Sequence, residues 1–138
     1  MGWTPPDNWT EVQAQLKMSG QVKLDASGQG TLFFTPPSAH QRWNVTGVVV
    51  STNQAATATT VPIATVALNS NDITTMSAGN NRGQSWSGNQ DTFTGDIDVG
   101  PCDNLTVIFC PPTGQSGTPI AGVIASAVVT GLKFTRRA

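Results

Sequence analysis

The residues of this chain that could support metal or acid–base chemistry are few and scattered. Asp96 and Asp98 lie two positions apart, so in a β-strand both carboxylates would point to the same face. With Asp91 and Asp103 they could form an oxygen-ligand site for Ca²⁺, but no EF-hand spacing is present. Acidic residues on strands and turns are usually solvated surface groups, so the sequence predicts no metal site here.

His40 is the only histidine in the chain. A Ser-His-Asp triad would need an activated serine, and no G-x-S-x-G segment occurs. A zinc site needs more His and Cys ligands than one histidine and two cysteines beside a strand can offer. A cell-wall hydrolase is disfavoured as well, because no carboxylate pair lies in a recognisable context. The sequence therefore predicts a protein that is not an enzyme and that binds no cofactor.

The two cysteines, Cys102 and Cys110, flank a segment that is typical of a β-strand. An extended strand of this length separates its ends by roughly 20–26 Å. A disulfide requires Cα atoms within about 7 Å of each other. We therefore interpret both residues as free thiols, the usual state in a protein that assembles in a reducing cytoplasm.

Length and charge restrict the function further. The chain of 138 residues is one domain by length, and its 7 basic and 8 acidic residues give a net charge of −1. This balance argues against a nucleic-acid binder, which would show a basic excess. No run approaches the ~18–20 apolar residues of a membrane span. The N-terminal segment also lacks the basic and apolar regions of a signal peptide.

From residue 20 onward, short alternating segments predict β-strands that are separated by turns rich in Gly, Pro and Asn. The predicted strands are 21–26, 31–35, 41–52, 61–68, 103–110 and 120–135, with Gly131 as a candidate bulge or bend. The predicted polar loops are 53–60, 69–92 and 111–119. No helices lie between the strands, so the sequence predicts an all-β, antiparallel, jelly-roll-like β-sandwich over residues 20–138.

Residues 1–19 are predicted to form an N-terminal arm. Pro5 and Pro6 favour an extended start. Residues 10–18 begin with a capping box and place Val12 and Leu16 four positions apart, which predicts a short helix.

The tryptophans indicate how such an arm would be used. Trp3 and Trp9 have no evident core of their own within the arm, and an apolar segment that cannot bury itself often docks on a neighbour. Trp86 lies in a polar loop and is a second candidate contact. The predicted partner-binding residues are Trp3, Pro5, Pro6, Trp9, Val12, Leu16 and Trp86.

Three stretches of the chain resemble a known module. RWNVTGVVVST (42–52), SGNQDT (87–92) and the segment 96–134 resemble a small β-sandwich module in virion proteins of tailed phages that infect actinobacteria. Trp43 matches the Trp-bearing strand of that module, and Gly88, Asn89, Asp91 and Thr92 match its turn. The chain departs from the pattern at 109–112, where Phe-Cys-Pro-Pro stands near the expected aromatic residue. The likeness covers roughly residues 30–134.

The resemblance implies a structural or adhesive virion component that is assembled in the host cytoplasm. Within that class the small size and the apolar arm favour a capsid decoration protein, with the major capsid protein or other virion proteins as partners. A homotrimer is favoured, because a closed oligomer can match three-fold positions of a shell. The alternative is a tail-tip or fibre module whose polar loops bind a host receptor or glycan, with Trp86 stacked on a sugar ring.

Overall fold

The computed structural model describes residues 12–55, 58–69, 71–77 and 90–135. Within these ranges there are eight β-strands, one short 3-10 turn at Thr118–Ile120 and no helix long and apolar enough to cross a membrane. The strands are Val12–Lys23 (β1), Gly30–Phe34 (β2), Gln41–Thr52 (β3), Ile63–Leu68 (β4), Asn71–Ser77 (β5), Gln90–Val99 (β6), Leu105–Cys110 (β7) and Ile124–Thr135 (β8).

The strands form two four-stranded antiparallel sheets. Sheet I has the order β1-β8-β3-β6, and sheet II has the order β2-β7-β4-β5. The first strand pairs with the eighth, the second with the seventh, the third with the sixth and the fourth with the fifth. The chain is therefore one long antiparallel hairpin rolled into two sheets, which is the topology of a jelly roll. The predicted all-β sandwich is confirmed.

The core lies between the two sheets and follows from the period-2 alternation of side chains along each strand. On β7, Leu105, Val107 and Phe109 are fully buried, whereas Ile108 between them is 37 % exposed. Burial of each such side chain contributes about 1.5–3 kcal/mol. The largest other members of the cluster are Leu16, Leu24, Phe34, Trp43, Val45, Val48, Val50, Val66, Ile97, Val99 and Ile120.

A β-bulge interrupts sheet I near its middle. The register of β3 shifts between Val45 and Gly47: Thr46 is an extra residue against β8, whereas against β6 it stands opposite two residues, Gly95 and Asp96. Gly131 of β8 lies opposite the bulge, and a Cβ there would stand 2.0 Å from the carbonyl oxygen of Asn44. The irregularity that the sequence predicts at Gly131 is therefore present, with the extra residue on the neighbouring strand.

The helix predicted over residues 10–18 is wrong from Val12 onward, because this segment belongs to β1. The spacing of Val12 and Leu16 fits a strand as well as a helix, because positions four apart lie on one face of a strand, with its period of 2, and close to one face of a helix, with its period of 3.6. All twelve residues of β1 pair with β8, and this tertiary pairing outweighs a marginal local helix preference. The predicted boundary between residues 19 and 20 consequently falls inside β1.

The loop predicted over residues 69–92 is also wrong in part. β5 occupies Asn71–Ser77, and β6 begins at Gln90. β5 is polar in sequence, and it is an edge strand that pairs only with β4 in the described part of the chain. An edge strand does not need the apolar alternation that identifies central strands, so its sequence resembles a loop.

The connections between strands gather at two opposite ends of the sandwich. At one end, here called the Asp103 end, lie the connections 35–40, 69–70 and 100–104. At the other, here called the long-loop end, the connections are 24–29, 53–62, 78–89 and 111–123. β1 begins at the Asp103 end, because Val12 pairs with Thr135, which also pairs with Gln41 at the start of β3.

Candidate interaction surfaces

The structure tests little of the predicted partner-binding set. Five of its members lie outside the described residues: Trp3, Pro5, Pro6, Trp9 and Trp86. Val12 is the first residue of β1. Leu16 is only 2 % exposed and packs in the core, so its side chain stabilises the sandwich and is not free to contact a partner. The docking role of the arm stays a prediction.

The outer face of sheet II carries an uncharged band that crosses three strands. Phe33 on β2 is 69 % exposed, and Ile108 on β7 is partly exposed. Cross-strand pairing places Phe33 beside Thr106 and places Ile108 between Thr31 and Thr65. The solvent side of an antiparallel sheet is normally polar, so an aromatic residue this exposed is a candidate contact. We call these five residues the sheet II face.

The outer face of sheet I has a different character, because it carries charged residues and those of its two edge strands differ in sign. On β1, Lys17 and Lys23 are exposed on the side opposite to the buried Leu16. On β6, at the other edge, Asp96 and Asp98 are exposed, as the sequence predicts for two residues on one strand face. The two edge strands therefore carry opposite charges, with Arg42 on β3 next to the acidic edge.

The two aspartates on β6 contact side chains of the adjacent strand β3. Oδ1 of Asp98 lies 3.0 Å from Nε of Arg42 in an ion pair without hydrogen-bond alignment. The buried Asn44 donates from Nδ2 to Oδ1 of Asp96 over 3.5 Å, which is a weak contact. A guanidinium next to Asp98 disfavours a second cation there. No group of three or more His, Cys, Asp or Glu suited to a metal occurs among the described residues.

Asp103 joins three connections at the Asp103 end. Its Oδ2 accepts the N–H of Gly100 at 2.7 Å, and its Oδ1 accepts Nδ2 of Asn69 at 2.8 Å. Its carbonyl oxygen accepts the hydroxyl of Thr35 at 2.8 Å. The Asn69 hydrogen bond, then the Gly100 N–H and the nearby Arg42 charge, lower the pKa of Asp103 against a small opposing effect of burial. This carboxylate therefore fastens sheet II to sheet I.

The long-loop end is held by close backbone packing. A Cβ on Gly117 would stand 1.8 Å from the carbonyl oxygen of Ser27, so the connections 24–29 and 111–123 touch directly. Asp25 closes the first of them by accepting the N–H groups of Ser27 and Gln29. These hydrogen bonds, that of Gln29 first, lower the pKa of Asp25. The connections 53–62 and 111–123 contain no charged residue.

The remaining candidate groups lie apart from one another. His40 is exposed in the connection 35–40, where its backbone N–H donates to the hydroxyl of Ser38. Cys102, which precedes β7, is an exposed free thiol, and Cys110, the last residue of β7, is a half-buried one. These residues do not come together in a reactive site.

Sequence reasoning missed the sheet II face, although the signal was present. Phe33 and Phe34 are consecutive in a strand, so they must point to opposite sides of the sheet. Phe34 is buried, and Phe33 is therefore the one that faces outward. Two adjacent large aromatic residues in a short strand are thus a usable sign of an apolar outer surface.

Comparisons by sequence find no matching family model and no matching curated protein. A comparison of structures finds a chain in the acidic stable capsid structure of Helicobacter pylori bacteriophage KHP30, with a TM-score of 0.50 and 14% identity. The match covers 89% of this chain and 93% of that one. The fold therefore resembles that of a component of a phage capsid structure over nearly the whole of both chains.

Two further structures match more weakly. Dimeric latent PorU from Porphyromonas gingivalis gives a TM-score of 0.43 with 10% identity, and covers 86% of this chain but 13% of that one. The Cry4Aa toxin from Bacillus thuringiensis gives 0.36 with 10% identity, over 94% of this chain and 24% of that one. In both cases the present chain corresponds to a small part of a much larger protein, and neither match bears on function.

Proposed function

We propose that this chain is a structural virion protein of a tailed phage, specifically a capsid decoration protein that stabilises the head. The observation that carries the proposal is the likeness to a chain of the KHP30 capsid structure, which extends over nearly all of both chains. The resemblance of residues 42–52, 87–92 and 96–134 to virion modules supports the same class.

The proposed docking element is the N-terminal arm, with Trp3, Pro5, Pro6 and Trp9 as its contacts. Eleven residues precede β1, and an extended segment of that length spans up to about 36 Å. The arm would leave the sandwich at the Asp103 end, where β1 begins. The major capsid protein is the proposed partner.

Stabilisation of the head would follow from mass action. A subunit that binds the assembled shell and not its separated parts favours the shell by an amount that grows with the free subunit concentration. A homotrimer would match three-fold positions and would multiply the contacts through avidity. The uncharged sheet II face offers a second surface for capsid contact, because it can be buried without desolvating a charge.

The test uses capsids that lack this protein, to which the purified chain is added back. The full chain should bind and raise the temperature at which the capsids release DNA. A variant that lacks residues 1–11 should bind at least about thirtyfold more weakly, since even one tryptophan buried at a contact contributes about 2 kcal/mol or more. Trp86→Ala is the matched control and should bind like the full chain. Equal binding by the truncated variant would overturn arm-mediated docking.

A second candidate is a tail-tip or fibre module that binds a host receptor or glycan. The observation that favours it is the concentration of long connections at one end, two of them without any charged residue. In this case the variant without residues 1–11 should still bind host cells, and Trp86→Ala should lose that binding. The two variants therefore separate the two functions by opposite results.

A further inference from the structure

The two edges of sheet I carry charges of opposite sign. In the described part of the chain, β1 pairs only with β8 and β6 pairs only with β3, so each strand has one side without a ladder partner. Lys17 lies on β1 and Asp96 on β6, both exposed. A free strand edge is a template for pairing with another chain.

The directions of the two edge strands suit association of identical copies. Neighbouring strands are antiparallel throughout sheet I, so β1 and β6, three strands apart, run in opposite directions. A second copy, rotated about an axis parallel to the strands, would bring its β6 beside β1 of the first copy. The two strands would then be antiparallel, which continues the pattern of the sheet.

Lys17 and Asp96 also lie at the same level along the direction of the strands. The cross-strand pairs connect Lys17 through β8 and β3 to Thr94 on β6. The same pairs connect Leu16, the preceding residue, to Ile97. Asp96 lies between Thr94 and Ile97, next to the bulge. A rotation without translation therefore brings Asp96 of one copy to the height of Lys17 of the next.

We propose that copies of this chain associate head to tail, with the β1 edge of one copy against the β6 edge of the next and with Lys17 facing Asp96. The contact joins two different surfaces, so it is heterologous and closes into a ring when the rotation between copies permits. A ring would leave no open edge in sheet I. The inference concerns the isolated chain and does not depend on the proposed role in the virion.

Lysines on edge strands also have a protective role, because they discourage edge-to-edge pairing. If protection were their only role, Lys17 and Lys23 would behave alike. Head-to-tail association makes them differ. The cross-strand pairs connect Gln21 through β8 and β3 to Gln90, the first residue of β6, and Lys23 lies two residues further along β1. The segment 78–89 that precedes Gln90 contains no acidic residue. Lys23 would therefore face no carboxylate of β6.

The experiment measures self-association of the full chain by sedimentation equilibrium at about 50 mM and about 500 mM salt. The wild-type chain should associate, and high salt should weaken the association because the pair is solvent-exposed. Lys17→Glu should raise the dissociation constant at least about fivefold. The double variant Lys17→Glu with Asp96→Lys should restore it, and Lys23→Glu should leave it unchanged.

All three substituted positions are exposed, so the variants should keep the wild-type circular dichroism and melting temperature, which would confirm that they fold. Three results would overturn the inference. These are a wild-type chain that stays monomeric at millimolar concentration, equal effects of Lys17→Glu and Lys23→Glu, and a double variant that associates no better than Lys17→Glu alone. None of these results bears on capsid binding through the arm, so the two proposals fail separately.

Discussion

The two sheets of this jelly roll bury similar aliphatic and aromatic inner faces, but they differ in strand length and in what they show to solvent. In sheet I, β1, β3 and β8 each have 12 residues, whereas in sheet II the strands have 5 to 7. Sheet I has a charged outer face, with lysines on one edge strand and aspartates on the other, whereas the sheet II face is uncharged and includes Phe33 at 69 % exposure. The inner faces specify the fold, and the outer faces distinguish how each sheet can be used.

The largest expected effect comes from replacing a phenylalanine by alanine on the inner face of sheet II, compared with the same replacement on its outer face. Phe109→Ala should lower the free energy of unfolding by about 3–5 kcal/mol, because Phe109 is fully buried between the sheets. Phe33→Ala should change it by less than about 0.5 kcal/mol, because Phe33 loses little buried area. Urea unfolding measures both. Comparable losses at the two positions would contradict the assignment of the two faces.

The next effect concerns the bulge of sheet I. Gly131→Ala should destabilise the fold by about 2–4 kcal/mol, because the new Cβ would overlap the Asn44 carbonyl oxygen and the strands would have to separate. Gly114→Ala is the matched control, since Gly114 has a φ of +80° but nothing within 4 Å of the added atom. Its cost should be about 1 kcal/mol. Thermal or urea unfolding should rank Gly131→Ala clearly above the control, and the reverse order would contradict the observed packing.

A smaller effect is expected where a carboxylate links the two sheets at the Asp103 end. Asp103→Asn should cost about 1 kcal/mol at pH 7, because it weakens the hydrogen bonds to Asn69 and Gly100. The lowered pKa means that this stabilisation is present above the ordinary carboxyl pKa of about 3.9. It is lost as the pH falls through the lower pKa of the folded protein. Urea unfolding at pH 7 and pH 3 should therefore show a wild-type advantage that shrinks in acid, and an advantage that grows in acid would contradict the sign.

Much of the fold could be predicted from the sequence where a strand is central. The strand at 41–52 is found with its predicted bounds, because its alternation is clear and polar residues precede and follow it. The sequence predicts a helix for the first half of β1 and a loop for β5, and both are edge strands. Their local sequences are ambiguous or polar, and only pairing with β8 or β4 makes them strands. Information of that kind lies in distant parts of the chain.

The candidate surfaces also include one that the sequence could have predicted and one that it could not. The exposure of Phe33 follows from its position beside Phe34, which the sequence already shows. The match in height between Lys17 and Asp96 could not be predicted, because it depends on the registers of three strand pairs and on the bulge in β3. Leu16 shows the opposite error, since an apolar residue assigned to docking proved to belong to the core.

The central claim is that this protein is part of the virion head, and its location on the particle tests that claim most directly. Purified virions would be labelled with an antibody raised against the folded chain and viewed by electron microscopy. We expect label distributed over the head, and capsids made without the protein should show none. Label confined to the tail tip would contradict the decoration role and support receptor binding, and particles without label would contradict a virion role altogether.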